Sequence, residues 1–288
     1  MAPIIEVSNE DLNAFNQLGF KYKSRNDLEK SASQISQIAE LDTSNWVRIP
    51  KEFTEGEYNL DVDPARLSYS SAVEKVGKEL GINYRNTSKD SLGREFVGNN
   101  NWFNSLKLNI SLGNKTLSAD EFNDYLRLLY MGSQGKIKVY TSKGKQLDSK
   151  LCEKYLMDIV KVQSPWRAEW IDADFKTKEK DLYVNYNHKL NDKGILIPQS
   201  KKILDKDTLM IDKTPGISLK DYILKNHTIQ GFPNKKVKSG DLYYWNPRSD
   251  NNSVARFNAS SGRADLSCGR YPSNWGSDLG ERAAKQLE

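Results

Sequence analysis

With 288 residues, 37% hydrophobic and 28% charged, the chain can bury about three quarters of its unfolded surface, in one large domain or two modest ones. Its net charge of +5 is spread along the sequence in short pairs such as Lys201-Lys202 and Lys235-Lys236. It lacks the clustered basic stripe that nucleic-acid recognition needs, and no nucleic-acid partner is expected. No run approaches the ~18 apolar residues of a membrane span, and the opening MAPIIEVSNEDLN has neither the basic start nor the apolar stretch of a secretory signal. The expectation is a cytoplasmic or virion-associated protein.

In chain order, Leu28, Ala32, Ile35 and Ala39 fall at helical spacing after Asn26. Trp46 to Ile49 reads as a strand stopped by Pro50, because proline cannot continue a ladder. Residues 54–70 are rich in turn formers; Ala72, Val73, Val76 and Leu80 then make a helical stripe with Gly81 as its stop. Residues 83–104 are again polar and turn-rich, which puts a boundary near residue 95, with 1–95 a helical and irregular segment packed on, or continuous with, the domain of 96–288. Leu106, Leu108 and Ile110 alternate with Lys107 and Asn109, the period of a strand. Ser118 with Glu121 predicts a capping box before Phe122, Tyr125, Leu126 and Leu129.

Lys136 to Tyr140 alternates and closes at Ser142-Lys143-Gly144. Ser149 opens a helix carrying Leu151, Tyr155, Leu156 and Ile159. Trp166 to Phe175 predicts a strand paired in a hairpin with Leu182 to Tyr186, with Trp166 and Trp170, four apart, sharing a buried face. Ser218 with Asp221 marks a helix start before Leu219, Tyr222 and Ile223. Short strands follow at Leu242–Trp245, 254–257, 264–268 and 279–283. Helices lie before and among antiparallel-looking strands, so the fold class is α+β rather than alternating βαβ units.

The last 45 or so residues differ in chemistry from the rest. No lysine lies between Lys238 and Lys285, while Arg248, Arg256, Arg263, Arg270 and Arg282 stand among Tyr, Trp, Ser, Asn and Gly. Recognition surfaces have this composition. Alternation predicts Phe257, Ala259, Leu266 and Cys268 pointing inward, and Asn258, Ser260, Asp265, Ser267 and Gly269 pointing outward, free of packing. Pro272, Leu279 and Gly280 read as frame residues. Trp275, between Asn274 and Gly276 in a polar loop, is a candidate exposed anchor.

Catalytic and metal signatures are sparse. His188 and His227, the two histidines, lie in no nucleophile motif or ligand spacing, which points to structural roles. Asp172 and Asp174 share a strand face, either solvated or paired with Arg167, or else placed for Ca²⁺ or acid–base work. Asp250-Asn251-Asn252-Ser253 reads as an Asx-type turn or as a set of oxygen ligands. Cys152 and Cys268 form no metal pattern and no disulfide framework, and read as small buried hydrophobes. No cofactor and no metal site are expected.

The run YYWNPRSDNNSVARFNASSGRADLSCGR…P…LGERAAK resembles the variable region of target proteins of diversity-generating retroelements, most closely the archaeal and archaeal-virus members. SPWRAEWIDADF, LYVNYNHK, GDLYYW, SNWVRIPKE and DSLGREF are similar to the same proteins, so the resemblance covers most of the chain. It implies a C-type lectin fold of the formylglycine-generating-enzyme-like branch, with an N-terminal extension and a variable region at about 240–285. It also implies a non-enzymatic ligand-binding protein whose tail is rewritten by an error-prone reverse transcriptase at template adenines. Asn codons are the usual targets. Asn246, Ser249, Asn258, Ser260, Asp265, Ser267, Gly269, Tyr271, Asn274, Gly276 and Asp278 fit their product set, and Trp275 fits a rewritten AAG lysine codon. The implied partner is an unknown protein or other macromolecule. The family usually carries an apolar residue where Glu281 stands. Two other readings have weaker support: a Ca²⁺-dependent sugar-binding lectin, whose Glu-Pro-Asn and Trp-Asn-Asp motifs are absent, and a formylglycine-generating-type oxidase, which uses copper-binding thiols.

Overall fold

A computed structural model of the chain describes residues 41–54, 58–82, 87–89, 93, 95–164, 166–238, 240–276 and 278–287. The helix expected after Asn26 lies outside them. The chain divides into two compact units, Met1–Ala39 and Glu40–Glu288, and the described residues all belong to the second.

The elements of this second unit run β1 (Val47–Ile49), β2 (Leu60–Val62), α1 (Ser71–Glu79), β3 (Thr87–Lys89), β4 (Glu95–Val97), α2 (Trp102–Ser111), β5 (Lys115–Thr116), α3 (Ala119–Ser133), β6 (Val139–Thr141), β7 (Gln146–Leu147) and α4 (Ser149–Val160). Then come β8 (Arg167–Lys178), β9 (Asp181–Leu190), β10 (Leu196–Ile203), β11 (Lys213–Ile217), α5 (Leu219–Leu224), β12 (Leu242–Trp245), β13 (Ser253–Ala259), β14 (Ala264–Arg270), β15 (Leu279–Gly280) and β16 (Ala283–Gln286). This is an α+β fold with mainly antiparallel sheets.

Local signals set the helix starts. Ser70 accepts from Val73 N at 3.3 Å to open α1, and Gly81, at φ +68°, ends it in the left-handed region that glycine enters freely. Glu121 accepts from Ser118 N at 2.9 Å at the start of α3, and Ser218 accepts from Asp221 N at 3.2 Å before α5. Helix α4 opens at Ser149 as expected, and its cap is Asp148, which accepts from Leu151 N at 2.7 Å.

One element is reassigned. Residues 106–110, expected as a strand, lie within α2. Asn101 caps it by accepting from Asn104 N at 2.9 Å, and Trp102, Ser105, Leu106 and Asn109 are buried at the i, i+3, i+4, i+7 spacing of a helix face. Leu106 and Ile110 belong to one helical stripe, and their alternation with polar residues is incidental.

Among the described residues the strands form three sheets. The first has the order β5-β16-β2-β1-β6-β7, the second β10-β9-β8-β13-β14-β12-β11 with β15 beside β8, and the third pairs β3 with β4. Strands of residues 47–62 thus share a sheet with the last strand, Ala284 opposite Val62. In the second sheet, β12 runs parallel to β14 while the β13–β14 and β8–β9 pairs are antiparallel.

The main core lies on one face of the second sheet. Ile171, Ala173 and Phe175 of β8, Phe257 of β13, Leu266 and Cys268 of β14 and Tyr244 of β12 pack with Phe122 and Leu126 of α3, Leu156 and Ile159 of α4, and Val47 and Leu60. The opposite face is covered only in part: Ala168 and Trp170 of β8 and Val254 pack with Trp102, Leu106 and Leu279. Trp102 donates to Ile171 O at 2.9 Å and Trp170 to Asn100 O at 3.0 Å, which satisfies both buried indoles. Arg282 Nε donates to Glu169 Oε2 at 2.9 Å and Nη1 to Asp63 O at 2.8 Å, a buried fork that ties the tail to β8 and the residue after β2. The final strand expected at 279–283 is therefore two strands, β15 and β16, interrupted at Glu281 and Arg282.

Candidate functional site

Beyond the cover supplied by α2 and β15, the far face of β12, β13 and β14 carries the alternate set of side chains. Register puts Trp245, Ser267 and Arg256 side by side across β12, β14 and β13. The neighbouring row is Tyr243, Asp265 and Asn258. The intervening Tyr244, Leu266 and Phe257 belong to the core. The sequence alternation therefore sorts the two faces correctly.

The far-face positions are not, however, free of packing. Asn258, Ser260, Asp265 and Ser267 are all buried, Asp265 at 1% exposure. Asn258 Nδ2 donates to Asp265 Oδ2 at 2.8 Å. Arg263, from the turn between β13 and β14, reaches over them with Nε 3.4 Å from Asp265 Oδ2 and its guanidinium 5.3 Å from the Tyr243 ring and 5.7 Å from the Trp245 ring. Ser260 Oγ holds the same turn by donating to Arg263 O at 3.2 Å.

Loop positions complete the surface. Ser249, Tyr271 and Trp275 are exposed, Trp275 at 56%, and Asn246, Gly269, Asn274, Gly276 and Asp278 are half-buried. Asn246 N donates to Asp212 Oδ1 at 2.9 Å. Arg248 stacks on Tyr271, 4.4 Å from the ring centre, donates to its hydroxyl at 2.7 Å and pairs with Asp250. The Asp250 turn is of Asx type, Asp250 Oδ1 accepting from Asn252 N at 3.1 Å.

Between these loops and the sheet lies a cleft lined by Trp245, Asn246, Ser267 and Gly269 with Asp212, Arg248, Arg263 and Arg270. Three of the expected variable positions line it. The arginines and Asp212 were not among the expected site residues; the switch from lysine to arginine in the tail was the signal for the former. Arg256 stands on the same face. Burial pushes its pKa down to about 10, the charge of Arg270 adds to that, and Asp265 and Asp278 oppose it.

The other candidates have structural partners. Asp172 is buried, accepting from His188 N at 2.9 Å and pairing with its Nδ1, while the His188 ring meets Trp102 edge-on at 5.1 Å. Asp174 is buried beside Lys176 Nζ at 2.9 Å. Neither aspartate lies on a solvated face or pairs with Arg167, whose Nε donates to Asp158 O at 2.6 Å. Trp166 does not share the core with Trp170. It precedes β8, is 57% exposed and donates to Ser261 Oγ at 3.2 Å. Cys152 and Cys268 are buried free thiols, and burial raises the pKa of both. Among the described residues no three His, Cys, Asp or Glu side chains converge as a metal set, and no helix is long and apolar enough to cross a membrane.

A wider groove at β9 and β16 includes Lys115, Asn187 and His188, but these are bonded within the protein: Lys115 Nζ to Asn187 Oδ1 at 2.6 Å and to Glu121, and His188 to Asp172. The arginine-lined face has the less committed chemistry. The chain matches no protein-family model, no curated protein and no solved structure.

Proposed function

We propose that this chain is a non-enzymatic recognition protein, the variable protein of a diversity-generating retroelement. In this reading it has a C-type lectin fold and binds a macromolecular surface through the far face of β12–β14 and the adjoining loops. The observation that carries the reading is spatial. Twelve positions named from the tail sequence, from Asn246 to Asp278, fall on one face of the sheet and on the loops around it, opposite the core. The lectin-fold assignment is supported by short antiparallel strands, by flanking helices α3 and α4, and by the pairing of β16 with β2, which brings the two ends of the unit together.

Recognition is supported by the chemistry on offer. Tyr271, held by Arg248, and Trp275 supply rigid aromatic area at low entropic cost. Asn246, Ser249 and Asn274 supply adaptable polar contacts.

The test is the surrounding gene sequence. The reading expects a near-copy of the codons for residues 246–278 beside a reverse-transcriptase gene, differing from them only where the copy has adenine. A complete genome without such a copy, or one whose differences fall on other bases, would overturn it.

A further inference from the structure

Four arginines meet on the recognition face, in two different states. Arg248 is occupied by Tyr271 and Asp250, and Arg263 by Asp265 and the rings of β12. Arg256 and Arg270 form no ion pair among the described residues, and Arg256 Nε is buried with no hydrogen-bond partner. A buried guanidinium donor left unpaired is costly, and a second cation close by adds to the cost. The same arrangement is favourable once an anion enters. Gly269 puts no side chain into the cleft, so its wall at that point is backbone and the flank of Arg248.

We propose that the cleft lined by Arg263 and Arg270, with Arg256 beside it on the same face across from Ser267, receives a carboxylate side chain of an acidic protein partner, as the central anchor of the interface. This rests on the reading of the face as a recognition surface. A guanidinium presents paired N–H donors that match a carboxylate's two oxygens. In a partly desolvated cleft, such pairing contributes more than it does at an open rim. Charge on the rim selects the class of partner. Asp212 lines the cleft, Asp250 stands beside it, and Asp278 lies close enough to Arg256 to act on its charge. A nucleic-acid backbone would carry a phosphate past each of these carboxylates. A single Asp or Glu on a protein surface meets the arginines and one carboxylate, Asp212, whose Oδ1 already accepts from Asn246 N, and Tyr271, stacked on Arg248 of the cleft wall, adds apolar area suited to protein contact.

The test follows the arginine Nε–Hε signals of the full chain by nuclear magnetic resonance, with hexaglutamate peptide, inorganic phosphate and a short oligothymidylate as probes. Hexaglutamate is expected to shift the Arg256 and Arg270 signals, to bind more weakly as salt rises, and to bind about tenfold or more weakly after Arg256→Gln or Arg270→Gln. Arg270, at the end of its strand, provides the variant if Arg256→Gln does not fold. Tighter binding of oligothymidylate or phosphate than of hexaglutamate would overturn the proposal. So would peptide binding unchanged in a folded arginine variant, or no shift with any probe. The adenine-only template judges the diversified-face reading by itself, so the two can fail separately.

Discussion

Asn258 and Asp265, facing each other across β13 and β14, are joined by a 2.8 Å hydrogen bond beneath the guanidinium of Arg263. Both belong to the set expected to vary, so the two positions are energetically linked rather than independent. Asn258→Ala and Asp265→Ala are each expected to destabilise by about 1–2 kcal/mol, since each strands a buried polar partner. The double variant should lose less than the sum, with a coupling of about 0.5 kcal/mol or more. Urea unfolding of the four proteins in the cycle measures it. Strict additivity would mean that the bond contributes nothing.

The exposed part of the face behaves differently. Tyr271, Asn274 and Trp275 lie in the loop after β14 and outside the core clusters. Replacing all three with serine is expected to lower stability by no more than about 1 kcal/mol, the range for surface substitutions without a structural role. Leu266→Ala, in the fully buried core, should cost about 2–5 kcal/mol. Thermal unfolding of the two variants side by side separates display from frame. A triple variant as damaged as Leu266→Ala would show that the loop is structural.

Glycines on the two sides of that division make a sharper comparison. A Cβ at Gly276 would come within 2.8 Å of Asp278 Oδ1, the far end of a side chain that can move aside. At Gly280 it would meet the Phe96 ring and the Val97 carbonyl oxygen, each at 3.0 Å, and neither can yield without shifting β4. Gly276→Ser is therefore expected to be nearly neutral, and Gly280→Ser to cost about 1–3 kcal/mol through overpacking, as read from denaturation midpoints. Equal effects would remove the distinction between a variable and a frame glycine.

These contrasts show which parts of the fold were legible in the sequence. Helix starts at Ser118 and Ser218 were readable because a cap is a local bond over three residues. The two faces of β12–β14 were readable because side chains alternate by geometry. Helix α2 was misread because Leu106 and Ile110, four apart, fit both a strand alternation and a helical stripe, and Asn101 gave the start no marked signal. The burial of Asn258 and Asp265 depends on Arg263 arriving from a turn and on Tyr243 and Trp245 arriving from β12, a parallel neighbour of β14 that local pattern does not reveal. Asp212 enters the cleft from 34 residues before Asn246, and no spacing rule reaches that far. Trp166 lost its expected burial because the strand begins one residue later.

Glu281 is the least expected residue of the frame. It is fully buried in the break between β15 and β16, and neither carboxylate oxygen has a hydrogen-bond partner. Burial raises its pKa from 4.5 to about 8, with the neighbouring Ser105 hydroxyl opposing only in part. The folded protein thus keeps a proton that the unfolded chain releases near its ordinary pKa. Between those two values the native state binds more protons than the unfolded state, so stability declines as pH rises. The contribution of the neutral acid is fully present below about 4.5 and is lost by the time pH passes about 8. Glu281→Gln removes the titration while keeping the shape. It is expected to flatten this part of the stability profile and to gain most over the natural chain at pH 8–9. Urea unfolding of both proteins at intervals from pH 5 to pH 9 tests it. Parallel profiles would show that Glu281 ionises in the folded state as readily as in the unfolded one, and that the buried carboxyl has found a partner.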